Sequence, residues 1–163
     1  RSDSGQTAAS RFQPVDLTEL VQSAALMFEP VAFEAGKTLE LTGAEDSVTV
    51  SGDAGKLKRL LDILLDNAVK FCPEGGTLGL TIREGGSKAY VSVSNDGETI
   101  PPEELPLVFD RFHKLDKSRS QNRDGWGLGL YIVKTIVCCH GENISVSSKD
   151  GKTEFTFTMP LVN

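Results

Sequence analysis

No run of about 18 consecutive apolar residues occurs in the 163-residue sequence, so no segment reads as a transmembrane helix. The start lacks the charged-then-apolar pattern of a signal peptide, and the chain is expected to be soluble as it stands. Cysteine is scarce: of the three, Cys138 and Cys139 are adjacent, and no Cys-x-x-Cys or histidine cluster accompanies them. That excludes a disulfide framework and a zinc site, suits a reducing compartment, and leaves the thiols as small buried or half-buried apolar residues. Positive charge is not in excess either, with 17 Lys and Arg against 23 Asp and Glu and a formal net charge of −6. A general nucleic-acid surface is therefore not expected.

What is present is ordinary for one globular domain: 39% apolar and 25% charged residues, in a chain long enough to bury a sizeable core. Residues 1–10 are small, polar and aperiodic and read as a flexible linker or tail, with the domain over 11–163. Phe12 to Val15 reads as a short extended segment. Asp16 is placed to cap a helix from Leu17 to about Ala35, in which Leu17, Leu20, Val21, Ala24, Ala25, Phe28 and Val31 recur at helical spacing and Pro30 is expected to kink or split the helix. Lys37–Leu41 and Ser47–Val50 read as a hairpin turning at Gly43, Glu45 and Asp46.

Asp53 caps the next expected helix, whose apolar face is Leu57, Leu60, Leu61, Leu64, Leu65 and Ala68 and which stops at Pro73 and Gly75-Gly76. Ile63, Asn67 and Lys70 lie along its other edge. Strands over Thr77–Arg83 and Lys88–Ser94 turn at Gly85-Gly86, and strands over Ile144–Ser148 and Thr153–Met159 turn at Asp150-Gly151. These four are expected to form the main sheet. A last helix runs from Gly129 to about His140 and ends at Gly141. The order predicts an α+β fold, a sandwich with helices on one face of the sheet.

Several of these positions suit a magnesium nucleoside triphosphate. The Asn67 amide oxygen is a hard neutral ligand able to complete an octahedral magnesium held mainly by phosphates and water, and Lys70, one turn on, reaches the same phosphates as a point charge. The bland alternative is a solvated helix edge. Strand residues Val91 to Ser94 run into Asn95-Asp96-Gly97, where Asn95 or Asp96 can accept from the exocyclic amine of adenine; the alternative is an ordinary Asn-Asp-Gly hairpin turn. Pro101-Pro102-Glu103-Glu104 reads as the start of a short helix, and Phe109 and Phe112 as an aromatic anchor on one helical turn. From Lys114 to Arg123 the chain is polar and basic, with Lys117 and Arg119, and has the length of a lid or of a plain solvated loop. Gly125-Trp126-Gly127-Leu128-Gly129 opens the last helix and offers bare N–H groups to an anion, yet it fits neither the dinucleotide fingerprint nor the P-loop.

In order, Asp66-Asn67-Ala68-Val69-Lys70-Phe71, Asn95-Asp96-Gly97-Glu98-Thr99-Ile100-Pro101, Phe109-Asp110-Arg111-Phe112 and Gly125-Trp126-Gly127-Leu128-Gly129-Leu130 resemble the N, G1, F and G2 boxes of sensor histidine kinases. The resemblance implies the ATP-binding catalytic domain of a two-component kinase on the two-layer Bergerat α/β sandwich, with a mixed, mostly antiparallel sheet. It implies ATP and Mg2+ as ligands, with Asn67 on the metal and Lys70, Lys114 and Arg119 as the catalytic cations on the phosphates. It also implies a nucleotide site lined by Phe71, Asn95, Asp96, Gly97, Ile100, Gly125, Gly127, Leu128, Gly129, Leu130 and Thr153. Asn95 stands where the family most often has an aspartate, keeping an acceptor oxygen while losing its charge. Ile63 replaces a frequent second asparagine, Thr99 a glycine, and Trp126 a small or polar residue.

By the same resemblance, the phosphorylated histidine belongs to a separate upstream dimerisation domain, which would receive the γ-phosphoryl group, and the response regulator's receiver domain is a further partner. His113 and His140 are expected to serve packing or surface roles, and this chain to bind ATP without phosphorylating itself. The parent is expected to be a homodimer anchored in the membrane, and this piece a monomer on the cytoplasmic side. Two other readings are a degenerate docking module without phosphoryl transfer and a relative that phosphorylates a serine on a regulatory protein, as an anti-sigma factor does.

Overall fold

The computed structural model describes residues 12–110 and 126–162. Strand β1 spans Gln13–Asp16 and leads directly into helix α1, Leu17–Glu34. Asp16 caps α1 through Oδ1, which accepts from the Glu19 N–H at 3.0 Å. The helix is not split at Pro30. Proline removes one donor, the partner of the Leu26 carbonyl, and Leu26 itself is an exposed residue. Strands β2, Thr38–Thr42, and β3, Thr49–Gly52, precede helix α2, Ala54–Phe71, which Asp53 caps by accepting from the Lys56 N–H at 3.1 Å. Strands β4, Thr77–Gly85, and β5, Lys88–Asp96, follow. Helix α3 is Trp126–Cys139, and strands β6, Ile144–Lys149, and β7, Lys152–Pro160, complete the chain. The tight β6–β7 turn holds Asp150 at φ 53° and Gly151 at φ 79°, the left-handed pair a two-residue hairpin needs.

Five strands, in the order β2-β4-β5-β7-β6, form the main sheet, and β1 and β3 form a separate antiparallel pair. Thus the expected hairpin between β2 and β3 does not form: β2 pairs in parallel with β4, whereas β3 pairs with β1. The linking segment is instead fixed to the start of α1, because the Leu17 N–H donates to the Val48 carbonyl at 2.8 Å and the Thr18 hydroxyl bridges the Asp46 carbonyl and the Val48 N–H. Gly43 lets this segment lie on β4; a Cβ there would fall 2.0 Å from the Ile82 carbonyl oxygen. The sequence pattern located both strands but carried no information about their partners. The short helix expected from Pro101 is also different: Pro101 and Glu104 accept i+3 bonds in a turn, and a 3-10 helix covers only Leu105–Leu107.

Alternation along the strands separates two faces. Leu78, Leu80 and Ile82 of β4, Val91 and Val93 of β5, and Phe155, Phe157 and Met159 of β7 are buried in one core with Leu17 and Val21 of α1, Leu60, Leu61, Leu64 and Leu65 of α2, and Val133 and Val137 of α3. Each such side chain contributes about 1.5–3 kcal/mol when fully buried. The opposite residues are polar, with Ser92 and Thr156 sharing a 2.8 Å hydrogen bond and Arg83 lying over the Tyr90 ring at 4.2 Å. Only Cys72 among the cysteines joins the core. Cys138 and Cys139 are exposed, contrary to the expectation of burial, because α3 buries Ile136 and Val137 and turns the next two positions outward.

Candidate functional site

The last turns of α2, the end of β5 and the start of α3 meet at one end of the sheet. Asn67 is 8% exposed, so it is not the solvated helix edge that its residue type alone allows. One turn earlier, Ile63 faces Gly129: a Cβ added at Gly129 would stand 3.3 Å from Ile63 Cγ2. Glycine at 129 therefore permits α3 to approach the edge of α2 that carries Asn67. Lys70 is paired with Asp66 Oδ2 at 3.0 Å, and with side chains 42% and 56% exposed this i,i+4 pair holds Lys70 only weakly. Phe71 ends α2 and packs, half-buried, against the core.

Gly97 follows β5 and rests on the end of α2. Its φ is +155°, and a Cβ there would lie 2.8 Å from the Phe71 carbonyl oxygen. Asn95 and Asp96 are the last residues of β5, and the chain continues to Pro101 without reversing, so the hairpin-turn alternative is excluded. Asn95 is 5% exposed, opposite Leu78 of β4 and Thr153 of β7. Its Nδ2 donates to the Asp96 carbonyl at 2.8 Å, while its Oδ1 has no hydrogen-bond partner among the described residues. A buried acceptor without a donor is costly, and this oxygen is open to a donor supplied from outside the described residues. Asp96 uses Oδ2 to accept from the Thr77 N–H at 2.9 Å and so fastens the start of β4.

Thr153 is buried and shares a 2.8 Å hydrogen bond with Ser148, whose Oγ also accepts from the Ile100 N–H at 2.7 Å. Ile100 is buried beside them. Sequence reasoning did not single out Ser148, and no local pattern signals it, since its partner Ile100 lies 48 residues away. Helix α3 is described from Trp126, ahead of the expected Gly129, so Gly127, Leu128 and Gly129 lie in its first described turn. The first amides of a helix have no intrahelical acceptor and remain donors. Leu128 is 37% exposed at this end, and Leu130 is packed in the core. The proposed Lys114 and Arg119, together with Gly125, His113, Lys117 and Phe112, lie outside the described residues. Phe109 is described and anchors edge-on to Phe155, with ring centroids 5.8 Å apart.

Behind the site, burial pushes the Cys72 thiol above its ordinary pKa, an effect that nearby Lys37 partly offsets. His140 plays the expected packing role. Its Nε2 accepts from the Asp53 N–H at 3.0 Å, its Nδ1 lies 2.8 Å from the Ile136 carbonyl, and its ring stacks on Phe12.

Residues 52–163 match the model of the family described as histidine kinase-, DNA gyrase B-, and HSP90-like ATPase. Sensor histidine kinase CusS of Escherichia coli strain K12 is 39% identical over 133 residues, which cover 82% of this chain and 27% of that protein. This chain thus spans about a quarter of the length of that relative. The solved catalytic domain of histidine kinase ThkA superposes with a TM-score of 0.81 at 27% identity, covering 91% of this chain and 95% of that one. ThkA solved in complex with response regulator protein TrrA gives a TM-score of 0.78 at 27% identity over 93% of this chain and 42% of that one. With the α+β sandwich and box order already seen, these matches show that the chain belongs to this ATPase family, as the ATP-binding catalytic domain of a sensor histidine kinase.

Proposed function

We propose that this domain binds ATP with Mg2+ and, within its parent kinase, donates the γ-phosphoryl group to a histidine on an upstream dimerisation domain. The observation that carries the reading is Asn95 Oδ1, a buried acceptor with no donor among the described residues, next to Thr153 and one strand residue before the Gly97 loop. The exocyclic amine of adenine supplies the missing donor. Asn67, a hard neutral oxygen ligand on the neighbouring helix edge, fits a magnesium ion whose other ligands are phosphates and water. When bound, that ion neutralises charge on the phosphate oxygens.

The protein's own task is positioning and charge. Phe71, Gly97 and Ile100 shape the base subsite, with Asp96 holding its rim. The first-turn amides of α3, at Gly127 to Gly129 and with Gly125 ahead of them, face phosphate. Lys70, Lys114 and Arg119 serve as the cations toward it. In the transfer, a bond forms between an imidazole nitrogen and the γ-phosphorus as the β–γ bridging bond breaks, and ADP leaves. The receiver domain of a response regulator then takes the phosphoryl group, in keeping with the ThkA complex. The domain occupies 11–163 behind a linker at 1–10, and it works at the cytoplasmic side of a membrane-anchored homodimeric parent. No helix among the described residues is long and apolar enough to cross a membrane.

Calorimetric titration with ATP, with and without magnesium, tests this. Wild type should bind, Asn95→Ala should lose affinity in both conditions, and Asn67→Ala should lose chiefly the magnesium-dependent part. A chain that binds no nucleotide would instead be a docking module on the same scaffold.

A further inference from the structure

We infer that Thr99 is a positioning residue, a latch that fixes the floor of the adenine subsite against the β6–β7 turn; this rests on the nucleotide reading above. The segment from Gly97 to Ile100 has no helical or strand pairing of its own, yet three bonds sew it to the far hairpin. The Gly97 N–H donates to the Gly151 carbonyl at 2.9 Å, the Gly151 N–H donates to Thr99 Oγ1 at 2.9 Å, and the Ile100 N–H donates to Ser148 Oγ at 2.7 Å. Gly151 is therefore held from both sides, and its N–H and carbonyl close a ring with Thr99 and Gly97.

Of the two ties that engage Gly151, only the one to Thr99 depends on a side chain. Backbone geometry supplies the Gly97 bond whatever residues stand there, but no backbone oxygen of position 99 takes the Gly151 N–H. A hydroxyl at 99 does, and its β-branch narrows the backbone choices of the loop before any ligand arrives. The loop it restrains joins Asn95, with its unpartnered Oδ1, to buried Ile100, and Ser148 on the latched hairpin holds Thr153 opposite Asn95. Fixing the turn therefore fixes where the loop and buried Ile100 stand relative to Asn95 and Thr153, which the β5–β7 ladder already pairs. Pre-organisation of this kind raises affinity without adding a contact to the ligand. Thr99 itself is exposed, so the hydroxyl adds little to the fold's overall stability.

The test compares ATP affinity, adenine-over-guanine preference and amide exchange in wild type, Thr99→Val, Thr99→Ser and Asn95→Ala. Thr99→Val keeps the shape without the acceptor, so ATP binding should weaken about fivefold, because binding must then order the released turn. The Gly151 amide should then exchange faster, the preference for ATP over GTP should narrow, and the thermal midpoint should stay within about 2 °C of wild type. Thr99→Ser should restore affinity and protection. Wild-type affinity and preference in Thr99→Val, with Asn95→Ala still defective, would overturn the latch alone. An unaffected Asn95→Ala would remove the adenine reading beneath it. A Thr99→Val protein with a much lower midpoint and unchanged base preference would make Thr99 a structural residue and also overturn the proposal.

Discussion

The Asp53 N–H and His140 Nε2, 87 residues apart in sequence, are joined by a buried hydrogen bond of 3.0 Å. Because Nε2 accepts, the ring proton sits on Nδ1 and is donated to the Ile136 carbonyl at 2.8 Å. One imidazole thus ties the capping residue of α2 to the end of α3, the two helices whose other ends frame the candidate site.

His140→Phe keeps a ring for Phe12 to stack on but leaves the Asp53 N–H without an acceptor. A buried unsatisfied donor costs about 1–3 kcal/mol, so urea unfolding should show a loss of that size at unchanged slope. An unchanged midpoint would mean that water or a local shift replaces the bond.

Gly97→Ala tests the seating of the G1 loop on α2. A Cβ 2.8 Å from the Phe71 carbonyl oxygen, on a backbone of φ +155°, forces the loop away from the helix end. Nucleotide affinity should fall at least tenfold while far-ultraviolet circular dichroism stays native, as expected for about 1–3 kcal/mol of local strain. Wild-type affinity would separate this loop from the site.

The three thiols should differ in reactivity. Cys138 and Cys139 are exposed and should react quickly with a thiol reagent in the native protein, whereas Cys72, 2% exposed, should react only on unfolding. Because burial raises the Cys72 pKa in the folded state, the folded thiol keeps its proton longer than the unfolded one. The sign follows: its contribution is complete below the ordinary value of 9.0 and is lost as pH climbs from there through the folded value. Cys72→Ala should show a shallower alkaline decline in denaturation midpoint than wild type.

Glu142 is nearly buried, with its side chain 5% exposed, and it pairs with Lys88 at 2.5 Å while Thr158 donates to its other oxygen at 2.7 Å. Lys88→Ala strands that carboxylate and should destabilise the fold by about 3 kcal/mol. Adding Glu142→Gln should recover part of the loss, since the charge is then gone. A double variant no better than the single one would show that the packing of Lys88, not its charge, is what matters.

Much of this was legible in the residues themselves. Asp16 and Asp53 cap their helices as read and the Asp150-Gly151 turn falls where expected, because caps and tight turns are local chemistry. The β4–β5 turn is Gly86-Ser87, one residue past the expected Gly85-Gly86. The family also followed from the order of its boxes. Pairing was not legible: β2 and β3 look like a hairpin, yet one joins β4 and the other β1, since the choice depends on Thr18, Val48 and Gly43 meeting distant backbone.

The sequence by itself determined the type and place of nearly every element, because periodicity and capping act within a few residues. Only the tertiary structure decided which side chains end up facing one another. Asn95 is left with a bare acceptor, Thr99 meets Gly151 and Ser148 meets Ile100 because strands distant in sequence lie side by side in one sheet. Those relations depend on chain packing across the sheet, and no spacing along the chain encodes them.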